Sequence, residues 1–418
     1  MSRFTFAKGN AQKVLSLPVY ALGSLASLLV PRRANHWVVG CGSGVGEGAL
    51  ALATEARARH PQLSITWLAR NQADATAASL HGFDHLPLTS WRGFWATLRA
   101  EVLVVTHGFG DVNRFGTRGG FIVQLWHGIP LKLIHLDSPA TMRSPILPNS
   151  LVIRRVLRAL YRRAAQAIVV MPAASELSAT RLQTAFQLPA ERIVVTGDPR
   201  DDVLVAGDPA QRIAEARATL ATRLTLPELG TARVILHAPT WRDGAVDPGI
   251  PTTDDWESID AYLESTDSLL VIRPHPLSVG DFSVGARMSP RIHLLESAVQ
   301  PDVMPLLPAF DALITDYSSI AYDFALTGRE IFFLAPDVAA YEESRGLYEP
   351  YALFSGGTEV TSWSALLERW TAIDDDPERL IAVRAHTEAI AARHHAFRDG
   401  HNTARVYDVV AERVAARR

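Results

Sequence analysis

The stretch Ile314-Thr315-Asp316-Tyr317-Ser318-Ser319-Ile320-Ala321-Tyr322-Asp323 joins two kinds of sequence. An apolar run, Ala312 to Ile314, ends in Thr, Asp, Tyr and two serines, and a helix-like run, Ile320 to Leu326, follows at once. This pattern predicts a strand that enters a helix N-terminus through a hydroxyl-rich turn. Free backbone N–H groups and two Ser hydroxyls at such a turn suit a phosphate. A serine there also serves as an ordinary helix cap. Neighbouring segments must decide between the two.

The same alternation recurs along the chain. Strand-like runs are expected at His36–Gly40, Ser64–Ala69, Val102–Thr106, Phe121–Trp126, Ala167–Met171 and Ile193–Thr196. A second set falls at Arg233–His237, Leu269–Ile272, Ile292–Leu295, Ala312–Thr315 and Ile331–Leu334. Continuous apolar runs between helices indicate parallel strands covered on both faces. A polar, strand-free region from about Asp201 to Thr231 separates the sets, so the expected fold is α/β with two doubly wound domains. In such sheets ligands bind beyond the carboxyl ends of the strands.

Several polar clusters sit just there. Trp126-His127-Gly128-Ile129-Pro130-Leu131-Lys132 follows a strand of the first set. His127, fixed by Gly and Pro, suits a general base near neutrality, and Lys132 suits a phosphate. A hydrogen-bonded structural histidine is the competing reading of His127. Gly197-Asp198-Pro199-Arg200-Asp201 closes the first set as a boundary turn, with Arg200 as an anion contact. His237-Ala238-Pro239-Thr240-Trp241-Arg242-Asp243 opens the second set, where Arg242 offers a charged fork. In Arg273-Pro274-His275-Pro276, two prolines stiffen a turn that carries Arg273 and His275. Arg242, Arg273, His275, Ser318 and Ser319 therefore share one rim of the second sheet. A cationic, hydroxyl-rich rim predicts a phosphate or diphosphate ligand, with a nucleotide as the obvious carrier.

The chain has 418 residues, 48% hydrophobic and 20% charged, which fits two domains with sizeable cores. A net charge of −3 gives no basic field for nucleic acid. The single Cys41 excludes an internal disulfide and a cysteine zinc cluster. His394, His395 and His401 cluster without metal-ligand spacing, so no metal is expected. Val14 to Val30 is uncharged and followed by Arg32 and Arg33. It is shorter than the roughly 20 residues of a membrane span. A helix lying on a membrane surface and a helix packed on its own domain both fit it. Leu151 to Gln166 predicts a helix with Arg154, Arg155, Arg158 and Arg162 on one face and Ile153, Val156, Leu157 and Leu160 on the other. It suits either an ordinary packed helix or an anionic surface.

The run Gly40-Cys41-Gly42-Ser43-Gly44-Val45-Gly46-Glu47-Gly48-Ala49 contains a G-x-G-x-x-A match. The next strand ends in Arg70 rather than the acidic residue that would take a ribose hydroxyl. A flexible cleft loop is preferred to a nicotinamide site.

Taken in order, these pieces resemble the CDP-glycerol glycerophosphotransferase family, the teichoic acid primases and polymerases. The matching residues are Trp126-His127-Gly128, Pro130-Leu131-Lys132, Gly197 with Pro199-Arg200 and Asp202, Ala238-Pro239-Thr240-Trp241-Arg242, Arg273-Pro274-His275-Pro276, and Ile314 to Ser319 with Asp323. Asp399-Gly400 and Arg405-Val406 resemble the family's ending, so the likeness runs from about residue 30 to 410. It implies a GT-B fold: an apolar surface helix over 1–33, an acceptor-side Rossmann-like domain over 34–205, a CDP-donor domain over 228–385, and a C-terminal helix over 386–418 returning toward the first domain. It implies transfer of glycerol phosphate, or a related polyol phosphate, from a CDP-activated donor to a hydroxyl of a lipid-linked or polymer acceptor. CMP is released, and the product is a teichoic-acid or capsule-like polymer. The enzyme would be peripheral on the cytoplasmic membrane face and would need no cofactor.

By the same resemblance His127 deprotonates the acceptor, His275 and Arg273 bind the diphosphate as CMP leaves, and Ser318 and Ser319 hold the phosphates. Lys132, Arg200, Thr240 and Arg242 line the site, and Asp316 or Asp323 binds ribose or orients neighbours. Asp198 and His237 depart from the family pattern near this site, which leaves donor and acceptor identity open. A nucleotide-sugar glycosyltransferase of the same fold, and a non-catalytic membrane- or polyanion-binding protein, are the alternatives.

Overall fold

A computed structural model describes residues 16–142, 150–242 and 245–418. Asp243, Lys8, Lys13 and the first two residues of the Val14–Val30 run lie outside these. The chain forms two compact units. The N-terminal unit runs through Ile129, resumes over Ile134–Asp202 and ends with His395–Arg418. The C-terminal unit comprises Pro130–Leu133 and Val203–His394.

The N-terminal unit is built on strands β1 (Arg33–Val39), β2 (Ser64–Ala69), β3 (Asp84–Pro87), β4 (Ala100–Val105), β5 (Phe121–Gln124), β6 (Ile168–Ala173) and β7 (Ile193–Val195). They lie in the order β3-β2-β1-β4-β5-β6-β7, and every pairing is parallel. The C-terminal unit holds β8 (Arg233–Ala238), β9 (Ser268–Ile272), β10 (Ile292–Leu294), β11 (Ala312–Thr315) and β12 (Glu330–Phe333). Their order is β10-β9-β8-β11-β12, again all parallel. The central strands are buried along nearly their whole length because helices cover both faces, which is why they read as unbroken apolar runs. Edge strand β3, Asp84-His85-Leu86-Pro87, carries no such run and was invisible to that criterion. Its proline is tolerated because an edge strand has one unpaired side.

Strand order reverses between β1 and β4 in the first sheet and between β8 and β11 in the second. Crevices for ligands open at such reversals. The Gly-rich loop and the His107 loop follow β1 and β4. The Thr240 and Ser318 loops follow β8 and β11.

At the chain end, helix is expected from about Pro377 with a charged, His-containing interruption around Arg393–His401, and two helices flank that stretch. Helix Pro377–His394 belongs to the C-terminal unit and helix Asn402–Arg417 to the N-terminal unit. The break is stabilised locally. Asp202 accepts from the backbone N–H groups of Asn402 and Thr403, a carboxylate at the N-terminus of the last helix. Asn402 donates from Nδ2 to the Asp198 carbonyl. A Cβ on Gly197 would stand 2.1 Å from the Asn402 amide oxygen, so only glycine allows this approach.

Candidate active site

In the N-terminal unit the site begins with backbone geometry. Trp126 has φ +63° and Gly128 φ +118°. A left-handed tryptophan is strained, and such strain persists where the surroundings over-determine it. Here Trp126 donates its N–H to Gln124 Oε1 and packs edge-on against Phe186. His127 is thereby held half-buried beyond the end of β5. Its ring lies parallel to that of His107, with centroids 4.1 Å apart and planes 6° apart.

His107 was not among the expected site residues. It is fixed from behind: Nδ1 is 2.9 Å from Thr106 Oγ1, and the Asp111 carboxylate accepts the backbone N–H groups of Thr106, His107 and Gly108. A Cβ on Gly42 would come within 2.4 Å of the His107 ring. This explains one glycine of the Gly-rich run, which here makes room for an imidazole. Arg70 pairs with Asp74 at 2.9 Å and reaches the Gly42 carbonyl, so it too is engaged locally. The signal in the sequence was a His-Gly pair directly after a strand at the order reversal.

In the C-terminal unit the expected rim separates into two groups. The first is a buried charge lattice. Arg242, 7% exposed, donates to both carboxylate oxygens of Asp337 at 2.9 and 2.8 Å, to Asp316 Oδ2 at 3.0 Å, and to the Thr240 carbonyl at 2.5 Å. Its guanidinium lies 5.1 Å from the centroid of Tyr317 and 4.9 Å from that of Tyr341, two rings that stack on each other. Burial alone would lower its pKa. The Asp337 hydrogen bonds and the Asp316 charge more than offset that and hold it fully charged. Tyr317 donates its hydroxyl to Asp337. Asp316, 3% exposed, accepts the backbone N–H groups of Thr240 and Tyr317.

This corrects the expectation that Arg242 is a free fork for phosphate. Its charge is spent inside the domain, cross-linking the loops after β8, β11 and β12. Asp316 orients neighbours rather than facing a ribose. Asp323 is buried at 2% exposure within helix Ile320–Ala325, which removes it from the rim. Burial raises the pKa of nearby Asp247 to about 6.

The second group is open. The segment Pro130–Leu133 belongs to the C-terminal unit, where Lys132 pairs antiparallel with Leu347 and Leu131 accepts the Tyr348 N–H. Lys132 stands within electrostatic reach of Asp316, Arg345, Arg242 and His275. Burial above all, with the Arg345 and Arg242 charges, brings its pKa down to about 8. His275 accepts the Leu277 N–H at Nδ1, which assigns the ring proton to Nε2. The dense protein around it, then Lys132 and Arg273, hold its pKa down to about 4 even though its side chain is solvent-exposed. It is therefore neutral near pH 7 and offers an Nε2–H donor. Trp241 stacks on His275 at 5.6 Å, and Arg345 lies over Trp241 at 5.2 Å. Both Trp241 and Arg345 were missing from the expected set.

Arg273 reaches the carbonyls of Leu295 and Pro301, which stiffens the turn. At the β11 end, Ser318 Oγ accepts the Ile320 N–H at 3.4 Å, whereas the Ser319 side chain makes no cap hydrogen bond. Thr240 Oγ1 is buried with no partner among the described residues.

Three further expectations are revised. Arg200 lies 4.0 Å from Glu47 in the N-terminal unit, with its side chain 9% exposed, so a carboxylate already stands near its charge. His237 is 2% exposed and packs edge-on against Phe282 and Trp363, and burial lowers its pKa to about 3. It is a core residue, as is the buried Asp198 whose Oδ1 accepts the Arg200 N–H. His394 meets Glu349 and His395 meets Asp201, each buried. Among the described residues no group of three or more His, Cys, Asp or Glu is arranged to hold a metal ion.

Comparisons with known proteins bear on the family and the fold. The teichoic acid glycerol-phosphate transferase of Staphylococcus aureus is 26% identical over 90% of this chain and 93% of its own length. The teichoic acid ribitol-phosphate polymerase TarK of the same species is 26% identical, with 68% of this chain covering 51% of that protein. The solved wall teichoic acid polymerase TagF superposes with a TM-score of 0.75 over 99% of this chain and 98% of that one, at 20% identity, which gives the chain a GT-B type fold. The family model described as CDP-Glycerol:Poly(glycerophosphate) glycerophosphotransferase matches residues 33–412, and the chain belongs to that family.

Proposed function

We propose that this enzyme transfers glycerol phosphate from CDP-glycerol to a hydroxyl of a teichoic-acid-type acceptor, with His127 as general base and the Lys132–His275 group as the donor-diphosphate site. The observation that carries the reading is the placement of Lys132. The strap that follows His127 directly in the chain is paired into the C-terminal unit, where it sets an ammonium beside a neutral, N–H-donating His275. A cation and an oriented donor suit a diphosphate better than a sugar ring.

The acceptor hydroxyl attacks the phosphorus that bears glycerol, and His127 takes its proton. The bond from that phosphorus to the bridging oxygen breaks, and CMP carries the electron pair away. Lys132 and the Nε2–H of His275 balance the charge on the leaving diphosphate oxygens, assisted by the Ser319 hydroxyl and Arg273. Transfer of this kind relies on positioning and charge balance more than on covalent catalysis. Arg242 keeps the loops in register without touching substrate.

The reading extends to the membrane face. Helix Leu17–Leu29 packs Tyr20 and Gly23 on Phe115 and exposes Leu22, Leu25, Leu28 and Leu29. Helix Leu151–Ala165 buries Leu157 but exposes Leu151, Val152 and Val156 beside its arginines, so Val156 is not on the packed face as expected. Among the described residues no helix is long and apolar enough to cross a membrane. A lipid-surface anchor with an acceptor bound to lipid fits this pattern.

Incubation with CDP-glycerol or CDP-ribitol and a glycerol-phosphate acceptor, with CMP as the readout, tests the chemistry. No CMP from any pair, with the protein folded, removes the proposal. Replacing Leu22, Leu25 and Leu28 with Glu should move the protein from membrane to supernatant in a sedimentation assay, and unchanged partitioning removes the anchor.

A further inference from the structure

The N-terminal unit has a second concave surface, lined by none of the residues around His107 and His127. It lies between β1, β2, β3 and helix Trp91–Arg99, and encloses about 610 Å³. Arg33, at the start of β1, lines it together with His36, Arg92, Arg99, Trp91 and Trp95. No carboxylate lines it. None of the three arginines has an acidic partner among the described residues, in contrast with Arg242.

Two observations indicate that this surface is unfinished without a ligand. Nδ1 of His36, a residue 8% exposed, is buried without a hydrogen-bond partner among the described residues, while its Nε2 meets Thr66 Oγ1 at 3.3 Å. Nε of Arg99 is likewise buried and unpartnered. Leaving such atoms unsatisfied costs free energy that a bound acceptor recovers. The aromatic side is equally uncovered: Trp91 is 72% and Trp95 40% exposed, their rings stacked 6.3 Å apart, and Arg99 lies over Trp95.

We propose that this pocket is a second phosphate site, for a phosphate carried on a small polyol. The arginines take the phosphate oxygens, for which their planar forks are shaped. The indole faces take the C–H surface of the polyol, and Ser64 at the pocket wall offers a hydroxyl. Lined by residues separate from the His127 loop, the site holds a phosphate unit that is not the one reacting. The same chemistry has two sources: a soluble polyol-phosphate chain, or the glycerophosphate headgroup of a lipid.

The test uses the full chain and two probes, a three-unit glycerol-phosphate oligomer and vesicles of phosphatidylcholine with or without phosphatidylglycerol. Arg92 and Trp91 are exposed, so Arg92→Glu and Trp91→Ala leave the core intact. Arg92→Glu should weaken binding to at least one probe by tenfold or more, a loss that Arg92→Lys partly restores. Trp91→Ala should weaken it severalfold, and Arg223→Glu, a remote exposed charge control, should not. A loss confined to the oligomer assigns a soluble chain, and one confined to phosphatidylglycerol vesicles assigns a headgroup. Unchanged affinity for both probes, or an equal loss in the Arg223 variant, overturns the site. Binding is read without turnover, so a protein that releases no CMP but still binds through Arg92 refutes the transfer chemistry and not this pocket.

Discussion

Beyond β4 and β5 the N-terminal unit presents rings: His107, His127 and Trp126, with glycine beneath them and a carboxylate, Asp111, committed to backbone amides. Beyond β8 and β11 the C-terminal unit presents charges: Arg242, Asp316 and Asp337 locked in a lattice, with Lys132, Arg273 and His275 more open beside them. The β4, β8 and β11 loops sit where strand order reverses, and the His127 loop follows β5, one strand along from β4. The difference teaches that charge density alone does not mark the reacting groups. Arg242 is held by two carboxylates, while the proposed base, His127, is an imidazole held by stacking and strain.

Substitutions at four positions press on that contrast. His127→Ala should lower turnover by about 10²–10⁴-fold, the range of general acid–base contributions, with CDP-glycerol affinity retained. Steady-state kinetics beside equilibrium donor binding checks this, and near-normal turnover would make His127 structural. Arg242→Leu should act on stability instead. It leaves the buried Asp316 and the half-buried Asp337 without their cation, at a cost of about 3 kcal/mol in unfolding free energy. Denaturant titration measures it, and a stable variant with weakened donor binding would return Arg242 to the ligand rim.

His275→Ala should cost about a hundredfold in kcat/KM through lost hydrogen bonding to the phosphate of the leaving CMP. Because the ring is neutral near pH 7, His275→Gln, which keeps an N–H donor, should recover part of that loss. A Gln variant no better than Ala would argue against the donor role. The smallest effect is one of pH. Lys132 has its pKa lowered to about 8, so its ammonium is present below that pH and is lost as pH rises through it. Donor affinity should fall by up to about tenfold per unit above pH 8, a slope that Lys132→Arg abolishes. Stability has the opposite sign there: the unfolded chain holds the proton up to about pH 10.4, so between the two values folding gains with rising pH. A flat affinity profile up to pH 9.5 would remove Lys132 from the diphosphate site.

Much of this was legible in the chain. Buried parallel strands must be apolar along their length, so eleven of the twelve strands announced themselves, and β3 escaped because an edge strand need not be. Pro274 and Pro276 marked a stiff turn at a strand end, and the His275 tautomer follows from that turn's own Leu277 N–H. Missed residues share another property. His107, Asp337, Tyr341, Trp241 and Arg345 act on groups distant in sequence, and Arg242 lies 95 residues from its bidentate partner.

The sequence by itself determined the α/β alternation, the positions of the loops and the family, because periodicity, proline and short motifs act over a few residues. Tertiary structure alone decided which of two equally polar side chains faces inward. It bound Arg242 into carboxylates, put His237 into the core, and left Lys132 within electrostatic reach of His275. The reason is that a charged group's free energy depends on what surrounds it in space, and those neighbours arrive only when the sheet brings separate strand ends together.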